Sequence, residues 1–256
     1  MIVTVLGSGT SQGVPVIGCD CPVCTSLDFR DKRLRSSIHI AVNDKSFIID
    51  SGPDFRQQVL RERIKKLDAL LFTHEHKDHT AGMDDIRSFN FLQQKDMPVY
   101  GDPRVLAQLK QEFAYVFTEK KYPGVPQVET HELSGEELTI EGIKFTPIEV
   151  LHHKLPVYGF RIGNFTYITD AKTVSDESIA KIKGSKVLII NALQKSKHLS
   201  HLTLEEAIEM AEKIGAEKTY LTHLSHRMGT HKEVQDSLPE HIRIAHDGLK
   251  IEMADS

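Results

Sequence analysis

Directly behind the apolar run Ala69-Leu70-Leu71-Phe72 the chain reads Thr73-His74-Glu75-His76-Lys77-Asp78-His79, which places four cation-binding side chains within six residues. In an extended or looping backbone, His74 and His76 project to one side while Asp78 and His79 follow on the next turn. That arrangement suits two adjacent cations better than one tetrahedral site. The helical zinc pattern of two histidines four residues apart fails, because Asp78 stands where the second histidine is required. A solvated turn has no need for four such groups behind a buried strand. The fold must therefore deliver this run to a point where sequence-distant residues can complete the site.

Hydrophobic periodicity indicates where those residues come from. Short β-branched runs predict strands at Ile2–Leu6, Ile38–Val42, Phe47–Asp50 and Ala69–Thr73, with a charged helical stretch at Phe55–Ile64. Helices are expected over Thr80–Gln94 and Pro103–Ala114, and a Pro- and Gly-containing loop over Phe117–Val128. Further strands are predicted at Lys144–Val150, Val157–Ile162, Phe165–Thr169, Val187–Ile190 and Thr219–Thr222, with a helix at Leu204–Ile214. Ile242–Ala245 and Leu249–Glu252 around His246-Asp247-Gly248 read as a hairpin. His74, Asp170 and His223 each lie at or just beyond the end of a predicted strand, and layered folds gather ligand sites at such ends. With no linker and no repeat, the expectation is one domain over residues 1–256, an α/β (α+β) sandwich.

Composition narrows the class. The chain of 256 residues has a formal charge of −4, so it lacks the overall basic field that drives nonspecific binding to nucleic acid. No apolar stretch approaches the roughly 18 residues that span a bilayer, and the N-terminal MIVTVLGSGTSQGV lacks a basic leader, so a soluble, cytoplasmic protein is expected. All three cysteines fall within six residues, Cys19, Cys21 and Cys24. An odd, tightly spaced set favours metal binding over a disulfide framework.

Taken with Val150-Leu151-His152-His153-Lys154-Leu155-Pro156, Tyr167-Ile168-Thr169-Asp170-Ala171 and Leu221-Thr222-His223-Leu224-Ser225-His226, the HxHxDH run resembles the metallo-β-lactamase superfamily. The resemblance implies a four-layer αββα sandwich holding two divalent ions. By it His74, His76 and His152 hold one ion, Asp78, His79 and His223 the other, and Asp170 both. The choice between His152 and His153 rests on the register of the HxKLPV segment, which prefers His152.

The segment Gly7-Ser8-Gly9-Thr10-Ser11-Gln12-Gly13-Val14-Pro15, followed by Cys19-Asp20-Cys21-Pro22-Val23-Cys24, is similar to the start of the PhnP-like phosphoribosyl 1,2-cyclic phosphate phosphodiesterases. By that resemblance the three thiolates and His226 hold a separate structural zinc, a closed tetrahedral site with no position for substrate. One departure is Asn191-Ala192-Leu193, where an acidic residue is expected.

The activity implied is hydrolysis of a small-molecule phosphodiester such as 5-phosphoribosyl 1,2-cyclic phosphate. In such chemistry two cations about 3.5–4 Å apart activate a bridging water. His201 is the expected general acid, with His198 a weaker substitute, and Asp78 counts as both ligand and catalytic residue. Asp50 reads equally well as a group orienting a ligand histidine or as a turn residue, and Arg87 is a candidate for substrate phosphate. The metals fit manganese or zinc. A tRNA 3′-end endonuclease is disfavoured, because Pro98 to His131 holds no extended basic arm, and a non-catalytic module is disfavoured by the complete ligand set. A homodimer is expected on base rates.

Overall fold

The structure, a computed structural model, describes residues 1–119 and 122–254. The first half runs β1 (Ile2–Gly7), β2 (Ser37–Val42), β3 (Lys45–Ile49), α1 (Phe55–Glu62), β4 (Ala69–Leu71), α2 (Lys77–Thr80), α3 (Arg87–Gln93), β5 (Met97–Gly101), α4 (Pro103–Glu112) and β6 (Val128–Glu132). The second runs β7 (Leu138–Ile140), β8 (Ile143–His152), β9 (Leu155–Ile162), β10 (Phe165–Ile168), α5 (Asp176–Ile182), β11 (Val187–Asn191), α6 (Leu204–Ile214), β12 (Lys218–Thr222), α7 (His231–Gln235), β13 (Ile242–Ile244) and β14 (Lys250–Glu252).

The strands form two seven-stranded sheets, ordered β14-β1-β2-β3-β4-β5-β6 and β13-β12-β11-β10-β9-β8-β7. Each changes from antiparallel to parallel pairing midway, at β3 in the first sheet and β10 in the second. The runs feeding these strands are apolar on both faces, and each face has a separate use. Phe47, Ile49, Ala69 and Leu71 pack between the sheets against Phe145, Phe160, Phe165 and Ile189, whereas Ile48, Leu70 and Phe72 face the helices outside the first sheet. Ile168, Leu188 and Ile190 meet Ile179, Ala207, Ala211 and Ile214 outside the second. Those three cores produce helix, sheet, sheet, helix, the sandwich expected from the sequence. Phe47 and Phe145 meet edge to face across the middle layer, ring centres 5.1 Å apart, a contact that contributes about 0.5–1.5 kcal/mol beyond burial.

Four sequence expectations change. Ile242–Ala245 and Leu249–Glu252 are not a hairpin: β13 pairs parallel with β12, while β14 pairs antiparallel with β1 in the other sheet. The intervening Asp247 is tied down instead, its carboxylate accepting from Ser8 N–H and Oγ–H and from Leu34 N–H. The helix expected over Thr80–Gln94 is broken at Gly82, whose N–H donates to Ser51 O and where a Cβ would lie 2.1 Å from Gly52 O. β5, β6, β7, α5 and α7 form where no element was expected. The loop expected over Phe117–Val128 ends in β6, which Val128 opens, and it includes residues 120 and 121, which lie outside the described residues. Among the described residues no helix is long and apolar enough to cross a membrane.

Candidate metal centre

The parallel strands of both sheets deliver their C-terminal ends to one region, and three of the residues placed there carry left-handed backbone. Asp50 follows β3 with φ 66°, Asp170 follows β10 with φ 59°, and His223 follows β12 with φ 58°. Non-glycine residues adopt this conformation at a cost of about 1 kcal/mol or more, and it persists where the surroundings over-determine it.

The structure brings His74, His76, Asp78, His79, His152, Asp170, His201 and His223 together. His79 Nε2 lies 3.1 Å from Asp78 Oδ2 and 3.3 Å from Asp170 Oδ2. His223 Nε2 lies 3.2 Å from the other Asp170 oxygen and 3.7 Å from Asp78 Oδ2. His76 Nδ1 stands 3.0 Å from His74 Nε2, and the His152 ring is centred 5.2 Å from that of His76. Three donor groups compact enough for a cation follow: His74, His79 and Asp170; Asp78, His79 and His223; His152, Asp170 and His201. His153 occupies the exposed turn between β8 and β9, with φ 57°, and belongs to none of them. Arg87 is also outside, exposed and paired with Asp84 at 3.0 Å.

Hydrogen bonds behind these residues select the tautomers. Asp50 is fully buried and accepts from His79 Nδ1–H at 2.7 Å, leaving Nε2 as a lone-pair donor toward the cluster. It also accepts from Thr73 N–H and from the Thr73 hydroxyl at 2.9 Å. With its proton so directed, Thr73 Oγ1 receives His74 Nδ1–H at 3.0 Å, freeing His74 Nε2. One carboxylate thus orients two histidines. His152 Nδ1–H donates to Ser200 O at 2.9 Å, which frees its Nε2 likewise.

Burial and charge act against each other throughout. Burial disfavours ionised Asp170 and Asp78, but the facing His223 and His79 outweigh it and hold both carboxyls well below the usual range. Burial also opposes charge on His79, and the carboxylates of Asp78, Asp50 and Asp170 lift it well above the histidine norm. His74 is pushed down by burial and by His79. His79 Nε2, His201 Nδ1 and both His223 nitrogens are nevertheless buried with no hydrogen-bond partner among the described residues. Each such orphan costs about 1–3 kcal/mol, and lone pairs converging on two carboxylates fit divalent cations. The residues present therefore suit divalent cations, while His76, expected as a ligand, joins none of the three compact donor groups.

Two supports escape a reading of the sequence. Asn191, fully buried, accepts from Ala171 N–H at 2.7 Å and donates to Ala171 O at 2.9 Å, clamping the turn that follows Asp170. An acidic residue there could accept but not donate, so the departure at this position has a local reason. The loop holding His201 is bolted on by Leu202 N–H to Ala171 O and Leu193 N–H to Leu202 O, and then capped by Thr203 and Glu206 in a reciprocal box at the start of α6.

The cysteine cluster forms separately. Cys19, Cys21 and Cys24 are free thiols whose Sγ atoms lie 3.2, 3.5 and 3.5 Å from His226 Nδ1. The Cys24 N–H draws the Cys21 thiol down to about 6, while burial pushes Cys24 up to about 11. Three sulfurs and one imidazole converging on a point suit zinc. His226 is three residues beyond His223, and Leu224 between them pairs with the glycine loop through Leu224 N–H to Ser8 O and Thr10 N–H to Leu224 O.

Comparison with known proteins agrees with this geometry. A model of the beta-lactamase superfamily domain matches residues 45–224. The crystal structure of a new diphosphatase from the PhnP family is 42% identical and superposes with a TM-score of 0.92 over 98% of this chain and 97% of that one. Zinc-bound PqqB from Methylobacterium extorquens shares the fold, with a TM-score of 0.80 at 19% identity over 99% of this chain and 100% of that one. An octanoyltransferase of Porphyromonas gingivalis is 40% identical over 253 residues, 96% of this chain but 50% of that protein, so the chain spans about half the length of this curated relative. The chain belongs to the β-lactamase superfamily, as a PhnP-like protein of the metallo-β-lactamase fold.

Proposed function

We propose that the protein is a metal-dependent hydrolase acting at phosphorus, on a small cyclic phosphodiester such as 5-phosphoribosyl 1,2-cyclic phosphate. The observation that carries this reading is the shared carboxylate: Asp170 falls in one compact donor group with His74 and His79 and in another with His152 and His201, so two donor sets adjoin across one residue. His74, His76 and His152 would hold one cation and Asp78, His79 and His223 the other, with Asp170 common to both. Manganese and zinc both accept such ligands. Divalent ions held there would supply Lewis acidity toward phosphoryl oxygens and an activated water.

The chain's own residues prepare the site for that chemistry. Asp50 fixes His79 directly and His74 through Thr73, and Asn191 fixes the backbone beside Asp170. His201 is the proton donor to the departing alkoxide. Burial and the facing His223 push its pKa to about 3, so the ring is neutral at pH 7 in the free protein. An anionic substrate set against it favours the charged ring, which ties proton delivery to a loaded site.

A disubstituted diphosphate is the second reading, favoured by the 42% identity with a PhnP-family diphosphatase. The octanoyltransferase similarity covers half of that protein, so the acyl transfer in its name needs no counterpart here. The test is elemental analysis together with hydrolysis of 5-phosphoribosyl 1,2-cyclic phosphate, bis(4-nitrophenyl) phosphate and a dinucleoside diphosphate, on wild type and Asp170→Ala. The expected result is about three metals per chain, two of them lost in the variant together with turnover. Preference for the diphosphate would select the second reading, and metal-loaded protein inert on all three would sink both.

A further inference from the structure

The run from His74 to Asp78 alternates in direction. His74, His76 and Asp78 turn toward the donor cluster, while the residues between them, Glu75 and Lys77, turn toward α4. Along that helix Arg104, Gln108 and Glu112 recur every four residues and form one stripe, while Val105, Leu106 and Leu109 are buried in the core outside the first sheet. The facing charges match in order. Arg104 Nη1 lies 3.9 Å from Glu75 Oε1, and Lys77 Nζ lies 2.5 Å from Glu112 Oε1, which also accepts from Gln108. Sliding the run along the helix by two residues would set Glu75 against Glu112 or Lys77 against Arg104, like charge against like.

Arg104 does more than face the run. Its Nη2 donates to Pro156 O at 2.7 Å and to the carboxylate of Asp102 at 2.5 Å, and Asp102 in turn caps α4 by accepting from the N–H groups of Arg104 and Val105. Pro156 adjoins Leu155, the residue that pairs with His152 across the β8–β9 hairpin. One guanidinium therefore joins α4, the run that carries His74 and His76, and the hairpin that carries His152. A planar fork of five N–H donors can span acceptors on three segments, and a single ammonium cannot. The hairpin meets the run again where Tyr158 N–H donates to Thr73 O at 3.0 Å. The histidine rings so brought together are centred 5.8 Å (His74 to His152) and 5.2 Å (His76 to His152) apart. His74 is fully buried and fixed by Thr73, whereas His76 is exposed, so its placement against His152 depends on how run and hairpin are held.

We infer that Arg104 is a positioning residue for the metal centre, holding the run of His74 and His76 in register with the hairpin of His152 and so setting the affinity for the ion those three would share. The inference rests on the two-ion reading of the centre and deepens it. A partly exposed ion pair at 3.9 Å adds little to stability by itself. The role is geometric, and because the Arg104 side chain is 41% exposed, its removal opens no cavity in the core.

The test is zinc binding to the full chain, read by chelator competition and elemental analysis, in wild type, Arg104→Ala and Arg104→Lys, with circular dichroism as the check on folding. In Arg104→Ala the affinity for one ion of the pair is expected to fall about tenfold, while the zinc of the cysteine cluster is held as in wild type and the spectrum is unchanged. Arg104→Lys keeps the charge but not the fork and is expected to recover no more than about threefold of that loss. Zinc affinities in Arg104→Ala equal to those of wild type overturn the inference. An equal loss at every site, the cysteine cluster included, overturns it as well, because Arg104 would then support the fold in general. Full recovery by lysine reduces the effect to charge and overturns the bridging role. Wild type that holds zinc at the cysteine cluster only removes the inference together with the reading on which it rests.

Discussion

Asp50 shows how much one buried side chain decides. Its two oxygens accept three protons, from His79 Nδ1, Thr73 N and Thr73 Oγ1, and the first and last of these bonds set the tautomers of His79, directly, and His74, at one remove. Asparagine has the same shape but only one accepting oxygen, and its amide would set a donor against a donor. Asp50→Asn is therefore expected to lower metal affinity, read by chelator competition, and kcat/KM by about 10–100-fold, with the circular dichroism spectrum unchanged. A change under about twofold would leave Asp50 as a turn residue only. The cluster of candidate donors was legible in the sequence, because histidine, aspartate and cysteine, common ligands of divalent ions, stand out there by type and spacing. Their supports were not legible. Asp50 in an IIDSGPD run reads equally as turn chemistry, and nothing about Asn191 reveals a two-way clamp until β10 and β11 lie side by side.

At the level of elements, strands with apolar residues on both faces announced themselves, and β3, β4, β10 and β11 fell within a residue or two of expectation. The missed strands had weak reasons to be noticed: β5 carries Pro98, β6 is the polar edge segment Val128–Glu132, and β7 has three residues. The hairpin expectation failed because a turn signal reports only that the chain reverses, not which sheet it enters; long-range pairing with β12 and β1 decided that. The cysteine cluster couples two elements in a testable way. It shares the segment Thr222–His226 with His223, and Leu224 pairs with the loop leading to Cys19. Cys21→Ser is expected to remove one metal per chain by elemental analysis, to destabilise by about 3 kcal/mol or more, and to lower turnover at the distant centre. A variant with native metal content and native melting temperature would show that the thiols merely pack.

On the scale of the whole molecule, imidazoles outside the candidate metal centre also make folding pH-dependent. His39, whose ring lies 2.8 Å from Ser46 Oγ, is held down to about 4 by burial, with Glu62 too weak an opposing charge; His231 is held down to about 4 by burial and by Arg33. In the unfolded chain both titrate near 6.5. Above that pH neither state is charged and the contribution is fully present; as pH falls from about 6.5 toward 4 the unfolded chain takes up protons that the folded one refuses, and stability is lost, on the order of 1–3 kcal/mol per histidine. The chain holds fourteen histidines, so the wild-type slope alone would not assign the effect. The difference between wild type and His39→Gln does, because the other histidines are common to both proteins and glutamine keeps a polar group near Ser46 without titrating. Urea midpoints measured every half pH unit from 7.5 to about 4.5 are expected to fall less steeply for His39→Gln than for wild type, with equal m values. Parallel curves for the two proteins would show that His39 admits its proton in the folded state, and would leave the acid sensitivity to His231 and the other histidines.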